Sequence, residues 1–314
     1  MIATLISHPS CLQHHMPAGH PECPERIDAI MNQLTANGID GLLYQREAPV
    51  ATDEQLLRVH TLAHLHAITR AIPTEGTTFF TDDVYLSPQT LRAARHAAGA
   101  AIMGVDMVMR GETDAVFCNV RPPGHHAERA RAMGFCIFNN IAIAAAHALA
   151  AYGLERIAIV DFDVHHGNGT QDIFFNEPRV LFCSSFQYPF YPNTDIENVP
   201  AHIINTPVPA TCRSDGFRTA INESWFPALE EFNPQLILIS AGFDAYIDDD
   251  MSSVSLVEQD YFWITQKLRQ LMDASKNLAP EQQCKGIVST LEGGYDLLGL
   301  GRCAVAHIKA LAKL

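Results

Sequence analysis

The chain has 314 residues, 47% hydrophobic and 18% charged, with a formal net charge of −14. This balance describes a globular protein with a large core and excludes a disordered one. The acidic excess argues against nucleic-acid binding and mildly favours cationic ligands.

Eight cysteines are scattered without a C-x-x-C pair, which reads as reduced, mostly core residues of a cytosolic protein. The N-terminus, M-I-A-T-L-I-S-H, lacks the basic flank and apolar stretch of a signal peptide. The most apolar helix candidate, Ile141 to Tyr152, is too short to span a bilayer and carries His147. A cytoplasmic protein with no membrane partner is expected.

Met1 to His8 reads as a first strand and Pro24 to Leu34 as a helix ending before Gly38. Thr52 to Ile72 reads as two short helices with His60, His64 and His66 between them. His60 and His64 are one helical turn apart, but no carboxylate or cysteine stands at ligand spacing, so they are read as a surface face. His14, His15 and His20 are read likewise as a polar loop. Ser87-Pro88 opens a helix that runs to Arg110 and stops at Gly111. Asp114 to Val120 is a strand leading into Arg121-Pro122-Pro123-Gly124-His125-His126. Asn139 caps an Ala-rich helix that ends at Tyr152.

Ile157 to Val160 is a β-branched apolar run, the mark of a strand buried on both faces. It breaks into Asp161, Asp163 and His165, which share one face of an extended chain. A short helix near Thr170 to Phe175, a strand at Arg179 to Ser185 and a Pro- and Tyr-rich loop, Phe186 to Pro200, come next. Ser214 to Phe232 is helical, with Phe217, Ile221, Trp225 and Leu229 as its core stripe. Leu236 to Ala241 is a strand running into Gly242-Phe243-Asp244. Glu258 to Met272 is a helix, Lys285 to Leu291 a strand ending in Glu292-Gly293-Gly294-Tyr295, and Gly301 to Lys313 a closing helix. The alternation implies one α/β domain, residues 1–314, with a largely parallel sheet.

Four strands thus end in chemically loaded residues, and the carboxyl ends of parallel strands lie along one edge where ligands bind. Each residue alone has a plain reading as a capped Asp, a core Tyr or a solvated His. Their shared topological position argues otherwise. Asp163, His165 and Asp244 supply three oxygen or nitrogen ligands and leave a position open, the catalytic zinc pattern. Such a metal lowers the pKa of bound water and polarises a carbonyl. His125 and His126 remain as acid–base groups, with Asp161 and Asn168 as their partners. Tyr295 is placed to donate to a developing oxyanion. These parts together make metal-assisted amide hydrolysis the expected chemistry.

R-P-P-G-H-H-A (121–127), G-F-C-x-F-N-N (134–140), D-F-D-V-H-H-G-N-G (161–169), S-A-G-F-D-A (240–245) and L-E-G-G-Y (291–295) resemble, in order, the motifs of the histone deacetylase family of zinc amidohydrolases. H-P-E-x-P-E-R-I (20–27) adds an N-terminal match. The form looks like the class II and bacterial branch. The resemblance implies the arginase/deacetylase fold, an eight-stranded, mostly parallel sheet flanked by helices. It implies zinc on Asp163, His165 and Asp244, and His126 as main base and acid with His125 its electrostatic partner. It also implies that Asp161 orients His125, Asn168 orients His126 and Tyr295 binds the scissile carbonyl.

By the same resemblance, Phe135 and Tyr191 wall an acyl-lysine tunnel, with Gly134 and Met251 beside the substrate. A potassium ion is implied at Asp161, Asp163, His165, Ser184 and Ser185, partly through backbone carbonyls. A second monovalent site is implied near Phe174, Glu177 and Val180. Departures stand at Pro192-Asn193-Thr194-Asp195, where relatives commonly have P-G-T-G, and at Phe186, where many carry a polar residue. Asp82 and Asp83 lie in a loop where the family often uses an Asp to hold substrate backbone.

Three rival readings remain. A dimanganese arginase-like enzyme needs bridging carboxylates where Gly167 and Tyr246 stand. An acetylpolyamine deacetylase would suit an acidic protein and a cationic small-molecule substrate, but selective relatives use a glutamate where Met251 stands. An inactive scaffold would have lost a ligand or the tyrosine, and neither is lost. Acyl-lysine in protein or peptide is the favoured substrate. Zinc rather than iron, and a homo-oligomer rather than a monomer, are left open by the residues.

Overall fold

The computed structural model describes residues 3–81 and 83–314. Met1 and Ile2 of the first expected strand, and Asp82, lie outside the described residues. In chain order the strands are β1 (Thr4–Ser7), β2 (Tyr44–Glu47), β3 (Thr78–Thr81), β4 (Val84–Leu86), β5 (Ala115–Cys118), β6 (Ile157–Asp161), β7 (Val180–Gln187), β8 (Ile203–Val208), β9 (Leu236–Ala241) and β10 (Ile287–Leu291). The α-helices are α1 (Glu25–Ala36), α2 (Asp53–Leu56), α3 (Leu62–Ala71), α4 (Thr90–Met109), α5 (Asn140–Tyr152), α6 (Asn168–Phe174), α7 (Ser214–Phe232), α8 (Glu258–Ser275) and α9 (Leu297–Ala312).

The apolar runs build one eight-stranded sheet in the order β2-β1-β5-β10-β9-β6-β7-β8. Every neighbouring pair in it is parallel. β3 and β4 form a separate antiparallel pair. The central strands β5, β10, β9 and β6 are buried at every residue, as strands covered on both faces by helices must be. Their register sets Cys118 beside Thr290, Thr290 beside Ser240, and Ser240 beside Asp161. All four strands therefore end level. The segments that leave them, carrying the motifs, open into one crevice.

Two edge strands, β2 and β8, have no counterpart in the sequence reading. β2 is exposed at all four residues and offers no apolar pattern to detect. β8 carries Pro207, which is tolerated only at an edge or a bulge. The closing helix starts at Leu297 rather than Gly301, capped by the Asp296 carboxylate accepting from Gly299 N at 2.5 Å. The long helix starts at Thr90, not at Ser87-Pro88, with the Thr90 hydroxyl accepting from Ser87 N.

His14, His60 and His64 are buried, correcting their surface assignment. His60 Nε2 accepts from Asn139 N at 2.9 Å, and His64 Nε2 sits 2.9 Å from the Ile137 carbonyl. His14 Nδ1 lies 2.8 Å from the Thr90 hydroxyl. Each imidazole satisfies a polar group remote in sequence, which residue spacing does not reveal. No helix among the described residues is long and apolar enough to cross a membrane. All eight cysteines are unpaired.

Beside the crevice, Glu22 is enclosed by Arg121 and Arg26, all three fully buried. Burial alone would raise the Glu22 carboxyl. Arg121 foremost, with His14 and Arg26, instead holds it down at about 2, against 4.5 in the open. A depressed carboxylate contributes stability that is present above its unfolded pKa and is lost as pH falls towards the folded value. Glu22→Ala leaves two guanidiniums buried without their counter-ion and is expected to destabilise the protein by about 3–5 kcal/mol. Urea unfolding at pH 7 measures that gap, which should narrow below pH 4.5. An unchanged unfolding midpoint would show the cluster to be irrelevant to stability.

Candidate active site

Asp163 and His165 follow β6, and Asp244 follows β9. Their ligand atoms lie within 4.8 Å of one another, and all three residues are buried. Backbone N–H groups aim the carboxylates. His165 N donates to Asp163 Oδ1 at 2.9 Å, Gly293 N to Asp163 Oδ2 at 2.8 Å, and Val164 N to Asp244 Oδ1 at 2.9 Å. A methyl group on Gly293 would run into carboxylate oxygens of both Asp244 and Asp163, so only glycine permits this approach.

His165 Nδ1 faces both acids, 3.1 Å from Asp163 Oδ1 and 3.0 Å from Asp244 Oδ2. Burial disfavours its charge, but the two carboxylates outweigh burial and raise the imidazole. Burial and then the Asp163 charge push Asp244 up. Among the described residues Asp244 Oδ2 has no hydrogen-bond partner, although His165 Nδ1 lies 3.0 Å away. This donor set fits a divalent metal. Two buried carboxylates crowd one imidazole, and one carboxylate oxygen is left without a donor, a deficit of positive charge that a cation would fill.

His125 and His126 have ring centroids 4.0 Å apart but different partners. His125 Nδ1 lies 2.9 Å from Asp161 Oδ2, and His126 Nδ1 lies 2.7 Å from Asn168 Oδ1. Burial lowers both. For His125 the Asp161 and Asp163 charges win and raise it well above 6.5. For His126 the neighbouring His125 and His165 add to burial and hold it well below 6.5. The two environments thus pull the tandem histidines apart, favouring the protonated form of His125 and the neutral form of His126.

Gly134, Phe135, Tyr191 and Met251 come together around a cavity of about 240 Å³, with His126, His165 and Tyr295 also on its wall. Phe135 is held at φ 64°, a left-handed conformation rare for an aromatic residue. There its ring meets Tyr295 edge-on at 6.0 Å. Asp83 secures the arrangement, accepting from Gly134 N at 2.9 Å and from the Tyr191 hydroxyl at 2.6 Å. Phe190, absent from the sequence reading, stacks on His165 at 5.4 Å.

The residues named for potassium gather where β6 ends beside the middle of β7, with Asp161 paired in register to Ser184. Buried Asp161 and Asp163 supply negative charge there. Phe174, Glu177 and Val180 lie in the turn from α6 to β7. The Phe174 carbonyl accepts from Glu177 N at 3.0 Å and has His202 Nε2 at 3.0 Å. Neither position needed for a bridging second metal carries a carboxylate: a side chain at Gly167 would strike Asp161, and the Tyr246 hydroxyl turns to Arg302.

Sequence reading assigned no role to Glu292 or Arg26. Glu292 Oε2 accepts from Gly124 N at 2.6 Å and His125 N at 3.1 Å, and Oε1 accepts from Ser240 Oγ at 3.0 Å. It therefore staples the tandem-histidine segment to β9. Arg26 donates from Nε to the Gly294 carbonyl at 2.7 Å and stands 4.9 Å over the Tyr295 ring. Both lie inside recognisable motifs, so the signal was there without its chemistry.

The family model described as histone deacetylase domain matches residues 20–311. The histone deacetylase-like amidohydrolase of Pseudomonas aeruginosa is 36% identical over 94% of this chain and 77% of its own length. A polyamine deacetylase of Mus musculus is 35% identical over 92% of this chain but only 44% of its own. The crystal structure of the HDA15 HD domain superposes with a TM-score of 0.90 at 32% identity, covering 99% of this chain and 88% of that one.

Proposed function

The chain belongs to the histone deacetylase family of hydrolases acting on amides, and on that premise we propose that it hydrolyses the amide of N6-acetyl- or acyl-lysine in proteins or peptides, releasing the acyl group as its acid. The observation that carries this reading is the aromatic-walled cavity lying against His126, Tyr295 and the three-ligand cluster. An aliphatic lysine stem is long and apolar, and such walls suit it.

Asp163, His165 and Asp244 would hold zinc, which when bound makes a nucleophilic water available near neutral pH and polarises the acyl carbonyl. His126, neutral and facing the cavity, takes a proton from the attacking water and returns it to the leaving amine. His125, protonated against Asp161, supplies a fixed positive charge. Asn168 fixes the orientation of His126. The Tyr295 hydroxyl donates to the carbonyl oxygen as charge develops there. A potassium ion at Asp161, Asp163, His165, Ser184 and Ser185 belongs to the same proposal, as do a second monovalent site at the α6–β7 turn, a single domain and a cytoplasmic location.

The relative named a polyamine deacetylase keeps acetylpolyamines as the second reading. Against it, Met251 on the cavity wall offers no charge to a buried ammonium. Side-by-side assays of an acetyl-lysine peptide, longer acyl-lysines and acetylspermidine test the choice. The peptide is expected to exceed acetylspermidine in kcat/KM by about tenfold to a hundredfold, the equivalent of about 1–3 kcal/mol for one unpaired polar group. Preference for acetylspermidine by orders of magnitude would sink the substrate assignment and leave the chemistry standing.

A further inference from the structure

We propose that Asp249 is a positioning residue for Tyr295, tying the tyrosine's backbone to the Met251 wall of the cavity; the proposal rests on the role given to Tyr295 above. Asp249 is buried, 5% exposed, in the loop that begins at Asp244. Its Oδ2 accepts from Tyr295 N at 2.6 Å and from Asp296 N at 3.0 Å. Its Oδ1 accepts from Met251 N at 3.0 Å. Among the described residues no cation lies within ion-pair distance of it, Arg26 acting only through space, and three backbone N–H groups hold this carboxylate.

A buried carboxylate without a counter-ion is costly unless its hydrogen bonds are well made. Here they are made to two loops at once, one bearing a wall residue and the other the tyrosine. Gly294, just before Tyr295, has φ 117°, a conformation open to glycine. The chain pivots there, and the point beyond the pivot sets where the tyrosine hydroxyl falls. Asp249 fixes that point from one side while Arg26 holds the Gly294 carbonyl from the other. The loop leaving Asp244 therefore carries the ligand, the wall and the restraint on the tyrosine together.

A double-mutant cycle tests this, using whichever of the acetyl-lysine peptide and acetylspermidine turns over faster, so that substrate class does not enter. Asp249→Ala is expected to lower kcat on the order of a hundredfold, the penalty of displacing a reacting group by about 1 Å. KM should change much less. In a Tyr295→Phe background the same substitution should lower kcat by less than about twofold, because a residue acting through the hydroxyl has nothing left to position. Thermal melting is followed in parallel. Asp249→Asn, which keeps one acceptor, serves as the second variant should the alanine form not fold, with an intermediate loss and the same non-additivity expected. An equal loss in both backgrounds, or an unchanged kcat, overturns the proposal alone. Tyr295→Phe turning over at the parental rate overturns the role of Tyr295 and the proposal with it.

Discussion

Asp244→Ala is expected to abolish turnover and to strip the protein of its metal while leaving the fold intact. A Lewis-acidic metal contributes several kcal/mol to the transition state, and at about 1.4 kcal/mol per tenfold its loss means a rate at least about 10³-fold lower. The fold should survive because Asp244 contributes little to it without a cation. Its Oδ1 accepts one backbone bond, from Val164 N, while Oδ2 has none. Burial and the neighbouring Asp163 push its carboxyl up, which offsets the loss of its contact with His165, and His165 keeps Asp163 as a partner. Metal-free Asp244→Ala should melt close to metal-free parent. Added zinc should stabilise the parent and not the variant. Metal content per chain after desalting, read beside turnover, decides the matter: a variant that retains one equivalent and its activity removes Asp244 from the ligand set.

That assignment joins residues 79 and 81 positions apart in the chain, His165 and Asp163 with Asp244. The parallel-sheet rule made it legible from sequence. β6 and β9 are adjacent, and Asp161 and Ser240 sit side by side, so the segments leaving the two strands must meet. The same rule failed at the edges, where β2 and β8 pair on one side only and need no buried face. Position along the sheet decides how much a sequence reveals.

Side-chain roles were legible only where spacing carries them. Asp248, Asp249 and Asp250 form an acidic run to which sequence reading assigned no role, and only the middle one is buried. Nothing in the triplet marks it, because the groups it binds belong to Met251 and to a loop 46 residues away. His14, His60 and His64 were hidden for the same reason. The tandem histidines were visible at once, whereas their unequal environments needed the partners in place: a carboxylate for His125, an amide for His126.

That inequality gives the second large effect, a dissociation between two neighbouring substitutions. His126→Ala is expected to lower kcat by about 10²–10⁴-fold, the range for losing a positioned acid–base group, with little change in stability. His126 is neutral, so its removal strands only the Asn168 amide. His125→Ala should act on stability as well. Its imidazolium lies against buried Asp161, and removing one partner of such a pair costs about 3–5 kcal/mol. The sign is fixed by the direction of the shift. His125 is raised above 6.5, so its contribution is complete below pH 6.5 and is lost only as pH climbs through the folded value. The stability gap between parent and His125→Ala should therefore be full at pH 6 and shrink in alkaline solution, whereas that for His126→Ala should stay small at both. Unfolding titrations at the two pH values, run beside steady-state kinetics, separate the residues. If His126→Ala turned over an acetyl-lysine peptide at the parental rate, proton transfer would have to be reassigned, and His125, already carrying its proton, is poorly suited to begin it.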